Sequence, residues 1–246
     1  KINNQNIISR KAKLGSNFSL GYFSIIEENV IIGNNVVIGN NVTIYKDSVI
    51  GNDVRIGDNT IVGKLPMRVR TSSLTINKQT KPCTLGNGTI LGTSVVMYRG
   101  ADIGSECLIA DLSSIREEVL VGDNTIIGRG VSIENCCHIG SFCKLETNAY
   151  ITAFSEIQDY VFIAPGVVTS NDKYTARRIN TNFKGVTIKK GGRLGAQATI
   201  LPEIVINENG FAAAGSMVTK DIPQNVIYCG NPARYMKRVP IEEQIK

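Results

Sequence analysis

An aliphatic residue recurs every six positions along most of this sequence. Ile8, Leu14, Leu20, Ile26, Ile32, Ile38, Ile44, Ile50, Ile56 and Val62 make ten consecutive hexads. A second series runs from Leu85 to Ile163 through fourteen hexads, with Met97 as its one conservative departure. A third runs Ile188, Leu194, Ile200, Ile206, Ala212 and Val218. A period of six is neither the helical period of about 3.6 nor the strand period of about 2. It fits a coil of short strands joined by tight turns, and such self-similarity marks a repeat architecture.

With the aliphatic residue as position 1, Gly often fills position 2, as in Ile32-Gly33, Ile50-Gly51 and Val121-Gly122. Position 5 is small or β-branched, as at Val36, Val42, Ser48, Val54, Cys107, Ser113, Cys137 and Ala149. One large and one small inward position per hexad fit a narrow triangular prism. Asn and Asp between them suit turns with unusual φ/ψ. Three hexads then close a rung of 18 residues, and rungs stack about 4.8 Å apart. The 33 Ile and 21 Val against 12 Leu argue against a helical bundle, because β-branched residues fit pleated sheet better. No run approaches the roughly 18 apolar residues of a membrane-spanning helix. No signal peptide is visible, although the first residue is Lys.

The pattern resembles the left-handed parallel β-helix of hexapeptide-repeat proteins, and the handedness comes from that resemblance. The predicted fold is all-β, interrupted by loops and ending in a short tail or helix. Residues 64–84 break the period, either joining two stacks or leaving one as an excursion. Residues 169–187 break it again. The expected division is an N-terminal β-helix section over 1–63, a connecting loop over 64–84, a main β-helix over 85–222 and a tail over 223–246. A short helix is expected within 233–246, packed across the last rungs.

Cys107, Cys137 and Cys143 fall on the small inward position, where Cys acts as a small hydrophobe. With Cys136 they match no zinc spacing. Reduced structural thiols, a reducing compartment and a cytoplasmic location are expected. A single His excludes a site built on several histidines. The net charge of +6 is concentrated in two acid-free stretches. One holds Lys64, Arg68, Arg70, Lys78 and Lys81; the other holds Lys173, Arg177, Arg178, Lys184, Lys189, Lys190 and Arg193. They read either as solvated loops or as sites for phosphorylated small molecules. Few aromatics and no nucleic-acid module argue against nucleic acid.

The stretches Gly195–Pro202, Ala212–Pro223 and Gly230-Asn231-Pro232-Ala233-Arg234 resemble the closing motif of CoA-dependent hexapeptide acyltransferases. The resemblance implies an acyl-CoA co-substrate, probed by small residues at Gly195, Ala196, Ala213 and Ala214, with Lys220 and Arg234 on its phosphates. It also implies a homotrimer with sites between neighbouring prisms, and no metal. Asp111–Glu117, Glu146–Thr152 and Thr169–Asp172 resemble N-acyltransferases of nucleotide-linked amino sugars, of the dTDP-amino-dideoxyhexose type. Arg116, Glu146, Asn171 and Asp172 are the substrate-binding candidates by that resemblance.

Register adds a separate clue. Glu117 and Asn135 both occupy position 3 and are 18 residues apart. Their side chains are expected to stack about 5 Å apart on an outer face, with Asn171 continuing the column and Asp111 on the adjoining face. Glu117, Asn135 and Asp111 are catalytic candidates that could orient an amine. His138, at position 6, is either a surface residue or a general base. Many sugar O-acetyltransferases of this fold carry a catalytic His in the extruded loop, and residues 169–187 contain none. That favours an amine acceptor, because part of an amine is already unprotonated near neutrality. The rivals are O-acetyl transfer and a non-enzymatic scaffold.

Overall fold

The computed structural model describes residues 5–67, 69, 80–178 and 182–245. Arg68, Arg70 and Lys78 lie outside the described residues. The chain winds through three parallel sheets that form the sides of a prism. Among the described residues, face 1 has eleven strands, from Ile7–Ile8 to Met217–Val218. Face 2 has ten, from Lys13–Leu14 to Val205–Ile206, and face 3 has twelve, beginning at Ser19–Leu20. Each strand pairs in parallel with the strand one rung away, as Ile31↔Val49 and Ile32↔Ile50. The ladders cross the first interruption without a break, since Val49 pairs with Thr84 and Arg55 with Ile90. One continuous stack therefore runs on both sides of the interruption, from the strand ending at Lys64 to the one beginning at Thr84.

The hexad explains each part of a rung. Position 1 points inward and is almost fully buried, as at Ile44, Ile109 and Ile133. Position 5 points inward beside it, and Val36, Val54, Cys137 and Cys143 have no exposed surface. Burial pushes the Cys137 thiol up to about 12 and the Cys143 thiol up to about 11. Position 4 is left-handed, with φ of 59° at Asn29 and 58° at Asn35, a conformation that Asn tolerates well. Position 6 faces outward.

The two ends differ. At the N-terminal rung the inward Ile8 and Leu14 are 42% and 41% exposed. At the other end the sequence expects a helix, but residues Val226–Cys229 and Arg234–Arg238 form an antiparallel hairpin on face 3. The physical reason is the open edge of that sheet, whose backbone groups need partners. Only Ile241–Glu243 makes a turn of 3-10 helix. The tail then crosses back, with Asn209 Oδ1 accepting from Ile245 N at 2.9 Å.

Candidate functional site

The three corners of the prism are built differently. At corner 2–3, Gly fills position 2 and an Asn or Asp at position 3 locks the rung before it. Asn34 N donates to Asn52 Oδ1 at 2.8 Å, and Ser105 N to Asp123 Oδ1 at 2.7 Å. A Cβ on Gly33 would stand 2.7 Å from Asn52 Oδ1, so only Gly leaves room for the lock. Corner 3–1 begins the same way, with Asn40 N donating to Asp58 Oδ1 at 2.7 Å. Asp111 belongs to this corner, and its Oδ1 accepts from Thr93 N at 2.7 Å. Its carboxylate is thus held as a lock.

Corner 1–2 departs from this plan. Between the excursions its position 2 carries Tyr98, Arg116, Glu134, Thr152 and Ser170, and its position 3 carries Arg99, Glu117, Asn135, Ala153 and Asn171. Both excursions leave from this corner, one after Lys64 and one after Thr169. Five ladder steps separate them on face 1, or about 24 Å. Arg116, Glu117, Asn135, Asn171 and Asp172 are all brought together along this stretch.

Register predicts solvated side chains at Glu117 and Asn135, but the structure buries both, each at 3% exposure. The cover comes from position 2. Arg116 forks onto Glu117, with Nε 2.9 Å from Oε2 and Nη2 3.3 Å from Oε1, while Nη1 reaches Glu134 Oε2 at 3.4 Å. Its guanidinium lies 4.8 Å from the centre of the Tyr98 ring. Burial pulls the Arg116 pKa down, but the hydrogen bond and charge of Glu117 and the charge of Glu134 outweigh it and the net shift is upward. Burial raises the Glu134 carboxyl above its usual range, Arg116 partly offsets this, and Glu117 adds to the rise. Asn135 Nδ2 stands 3.7 Å from Cys136 Sγ. Asn171 Nδ2 donates to Ala153 O at 3.4 Å, so the column continues to the second excursion. Asp172 serves that loop: its carboxylate accepts from Ala176 N and Tyr174 N, and these bonds hold its pKa below the usual range.

Two grooves flank the corner where the excursions join. One of about 480 Å³ lies at the second, with Asp172, Lys173 and Glu203 in its walls. One of about 430 Å³ lies at the first, over Val49, Asp102, Leu120 and His138. His138 is outward on face 2, with Nδ1 3.2 Å from Glu156 Oε2. It is therefore placed off the column of Glu117 and Asn135.

Gly195, Ala196, Ala213 and Ala214 lie on corner 3–1, toward the C-terminal end. Gly195 and Ala213 are one rung apart, and a Cβ on Gly195 would stand 2.8 Å from the Ala213 carbonyl carbon. Gly215, at φ 67°, has nothing within 4 Å of where its Cβ would be. The corner is a narrow bare ridge of backbone. Ala233 N donates to Met217 O at 2.8 Å, which brings the exposed Arg234 to the end of this ridge. Glu146, half-buried, is on the same corner lower down, whereas Lys220 is on corner 1–2. Among the described residues no group of three or more His, Cys, Asp or Glu could hold a metal ion. No helix among them is long and apolar enough to cross a membrane.

Residues 11–46 and 35–64 match the family described as bacterial transferase hexapeptide (six repeats). That match covers the first rungs of the solenoid. Its sequence is similar to the galactoside O-acetyltransferase of Escherichia coli, at 36% identity over 88 residues, 34% of this chain and 43% of that protein. It is also similar to the dTDP-3-amino-3,6-dideoxy-alpha-D-galactopyranose 3-N-acetyltransferase of Aneurinibacillus thermoaerophilus, at 42% identity over 53 residues, 22% of this chain and 28% of that one. The match thus spans less than half the length of either relative. The hexapeptide solenoid also resembles the UDP-N-acetylglucosamine acyltransferase of Bacteroides fragilis, with a TM-score of 0.59 over 97% of this chain and 75% of that one. At 19% identity that likeness concerns the fold alone.

The sequence singled out Glu117 and Asn135 by register but missed Tyr98 and Glu134. The signal was available: at this corner the Gly of position 2 is replaced by large polar or aromatic residues on three successive rungs.

Proposed function

We propose that the hexapeptide solenoid is an acyl-CoA-dependent N-acyltransferase, for acetyl groups, that acts on the amine of a nucleotide-linked dideoxy amino sugar. The observation that carries this reading is the braced Glu117 beside Asn135, at a corner without locks and between two basic excursions. The relatives' acetyl transfer, the one to an amino-sugar nucleotide included, supports the same class.

Glu117 accepts a hydrogen bond from the amine and directs its lone pair to the thioester carbon, while Asn135 fixes the neighbouring polar atom of the sugar. Arg116 holds the carboxylate in place, which is the part of catalysis that positioning supplies. The new C–N bond forms, the C–S bond breaks, and the thiolate leaving group takes the amine's last proton. The acyl-CoA arm lies on the ridge of Gly195, Ala196, Ala213 and Ala214, against backbone N–H groups that suit a developing oxyanion, with Arg234 at its phosphates.

These two halves occupy opposite edges of face 1, so one chain cannot join them. Face 1 has no charged residue at any outward strand position from Ile7 to Met217, whereas face 2 carries Lys13, Asp102 and Glu156 and face 3 carries Arg55, Lys144 and Arg193. A threefold axis beside face 1 covers that uncharged side and sets corner 1–2 of one copy against corner 3–1 of the next. We therefore read the active unit as a homotrimer with sites between copies.

Mass spectrometry with a panel of nucleotide amino sugars and acyl-CoAs tests the reaction. Glu117→Ala is expected to lower kcat/KM by about a hundredfold or more, and an unchanged value removes Glu117 from the site. Mixing Glu117→Ala chains with Ala214→Trp chains is expected to restore activity that neither has alone, since some interfaces then join two intact halves. A hydroxyl acceptor is the second reading, favoured by the His138–Glu156 pair; loss of activity in His138→Ala with full activity in Glu117→Ala would establish it instead.

A further inference from the structure

The groove at the first excursion takes no part in the chemistry above. Its floor is the outward ladder of face 2, where Val49, Thr84, Asp102, Leu120 and His138 stand on five successive rungs. Four ladder steps make it about 19 Å long. Its wall on the side of corner 1–2 includes Glu118, the residue after Glu117, and its rim carries Lys81 from the returning limb of the excursion. Lys81, Arg99 and Glu117 each stand three residues before the paired Thr84, Asp102 and Leu120. Lys81 therefore lies two rungs from Glu117 along the same corner, or about 10 Å.

The lining has a definite chemistry. Val49 and Leu120 hold aliphatic side chains out to solvent at 36% and 43% exposure. They stand three ladder steps apart with Thr84 and Asp102 between them, and each by itself can take the face of a ring. Asp102, which accepts a hydrogen bond from Thr84 Oγ1, and Glu118 offer acceptors for N–H and O–H groups. Two carboxylates repel a phosphate from the floor, and Lys81 attracts it at the rim. Aliphatic groups and carboxylate acceptors in the floor and wall, with one cation on the side of corner 1–2, are the partners that a base, a ribose and a phosphate need.

We propose that this groove binds the nucleoside diphosphate portion of the acceptor. The base lies over Leu120, the N–H and O–H groups of base and ribose donate to Asp102 and Glu118, and the diphosphate meets Lys81. The sugar then emerges at Glu117 and Asn135. The direction of the ligand rests on the amino-sugar reading above; the binding of a nucleotide to the groove does not.

Calorimetric titration of the full chain with uridine, thymidine, cytidine and guanosine diphosphates tests it directly. At least one is expected to bind in the micromolar range. Leu120→Glu is expected to weaken that binding by about tenfold or more. Lys81→Ala is expected to weaken it similarly and to remove most of its salt dependence, while leaving the bare nucleoside unaffected. Leu108→Glu, at a leucine of similar exposure on face 3 (37%), is the control that leaves binding intact. If none of the four nucleotides binds, or if Leu120→Glu binds as the parent does, the groove is not the nucleotide site. Nucleotide binding lost in Leu120→Glu, with no acyl transfer in any assay, would uphold the groove and overturn the transferase reading. Transfer to a free amino sugar with no nucleotide binding would do the reverse.

Discussion

Corner 2–3 and corner 1–2 turn the same chain through the same angle by different means. Corner 2–3 repeats one device on most of its rungs: Gly at position 2 from Gly15 to Gly140, Asx locks at position 3 such as Asn52, Asp123 and Asp159, and a left-handed residue at position 4. Each lock ties one rung to the next, as Ser141 N to Asp159 Oδ1 at 2.7 Å. Corner 1–2 largely lacks that device along its whole length, with Ser9, Glu27 and Tyr45 at position 2 before the first excursion, and between the excursions it carries Arg116, Glu117, Glu134 and Asn135. A solenoid with three equivalent corners has no need to bury a carboxylate at one of them. The departure concentrates polar groups where the loops also leave, which is the arrangement of a site placed on a rigid scaffold.

The largest effect is expected at the Arg116–Glu117 pair of corner 1–2. Arg116→Ala leaves Glu117, whose side chain is 5% exposed, without its fork. Breaking a buried pair from one side costs about 3 kcal/mol or more. Urea unfolding should show that loss, and the double variant Arg116→Ala/Glu117→Ala should recover a large part of it. The pair Lys11–Glu28 is the contrast, with side chains 69% and 46% exposed; removing Lys11 should change nothing measurable. If both substitutions behave alike, burial is not what distinguishes the corner.

How much of this difference the sequence discloses can be argued from the same residues. The hexad is visible because an apolar residue, mostly Ile, Leu or Val, recurs at position 1 through thirty hexads, and core burial depends on that period alone. The stacking of Glu117 on Asn135 is also visible, because 18 residues separate them. Their burial is not, because it comes from how Arg116 folds back over its own neighbour, which no spacing encodes. The C-terminal helix failed for a related reason. Arg234–Arg238 has acceptable helix formers, but the open edge of face 3 offered backbone partners that a lone short helix lacks. Which corner each hexad turns also depends on whether a loop preserves the winding, and that follows only from the strand pairs on either side of it.

The second effect tests the lock. A Cβ on Gly122 would stand 2.7 Å from Ser141 N and 2.8 Å from the Gly140 carbonyl carbon. Gly122→Val should therefore force neighbouring rungs apart and cost about 2–3 kcal/mol, read as a lower urea midpoint. The third is milder. Asp123→Ala removes the acceptor of Ser105 N but leaves solvent access at an exposed turn, so about 1 kcal/mol is expected. Full tolerance of Gly122→Val would mean that the close approach of rungs at corner 2–3 is incidental.

The smallest effect concerns Glu134, and its sign separates two carboxylates of corner 1–2, Glu134 and Asp47. Burial raises the folded-state pKa of this carboxyl, against the partial opposition of Arg116. The folded protein therefore holds a proton that the unfolded chain has already lost between the ordinary carboxylate pKa and the raised one. The cost of ionised Glu134 is full above the raised value and is relieved as pH falls through that window. Glu134→Gln should accordingly be slightly more stable than the parent at neutral pH and equal to it below the ordinary carboxylate range. Asp47 shows the opposite trend. Hydrogen bonds from Asn29 and Arg99 lower its pKa, so its stabilisation is present above the ordinary value and lost as pH falls through the depressed one. Asp47→Asn should thus be destabilised at neutral pH and converge with the parent in acid. Urea midpoints at neutral and acid pH distinguish the two carboxylates, and shifts of the same sign would show that burial at Glu134 does not outweigh its cation.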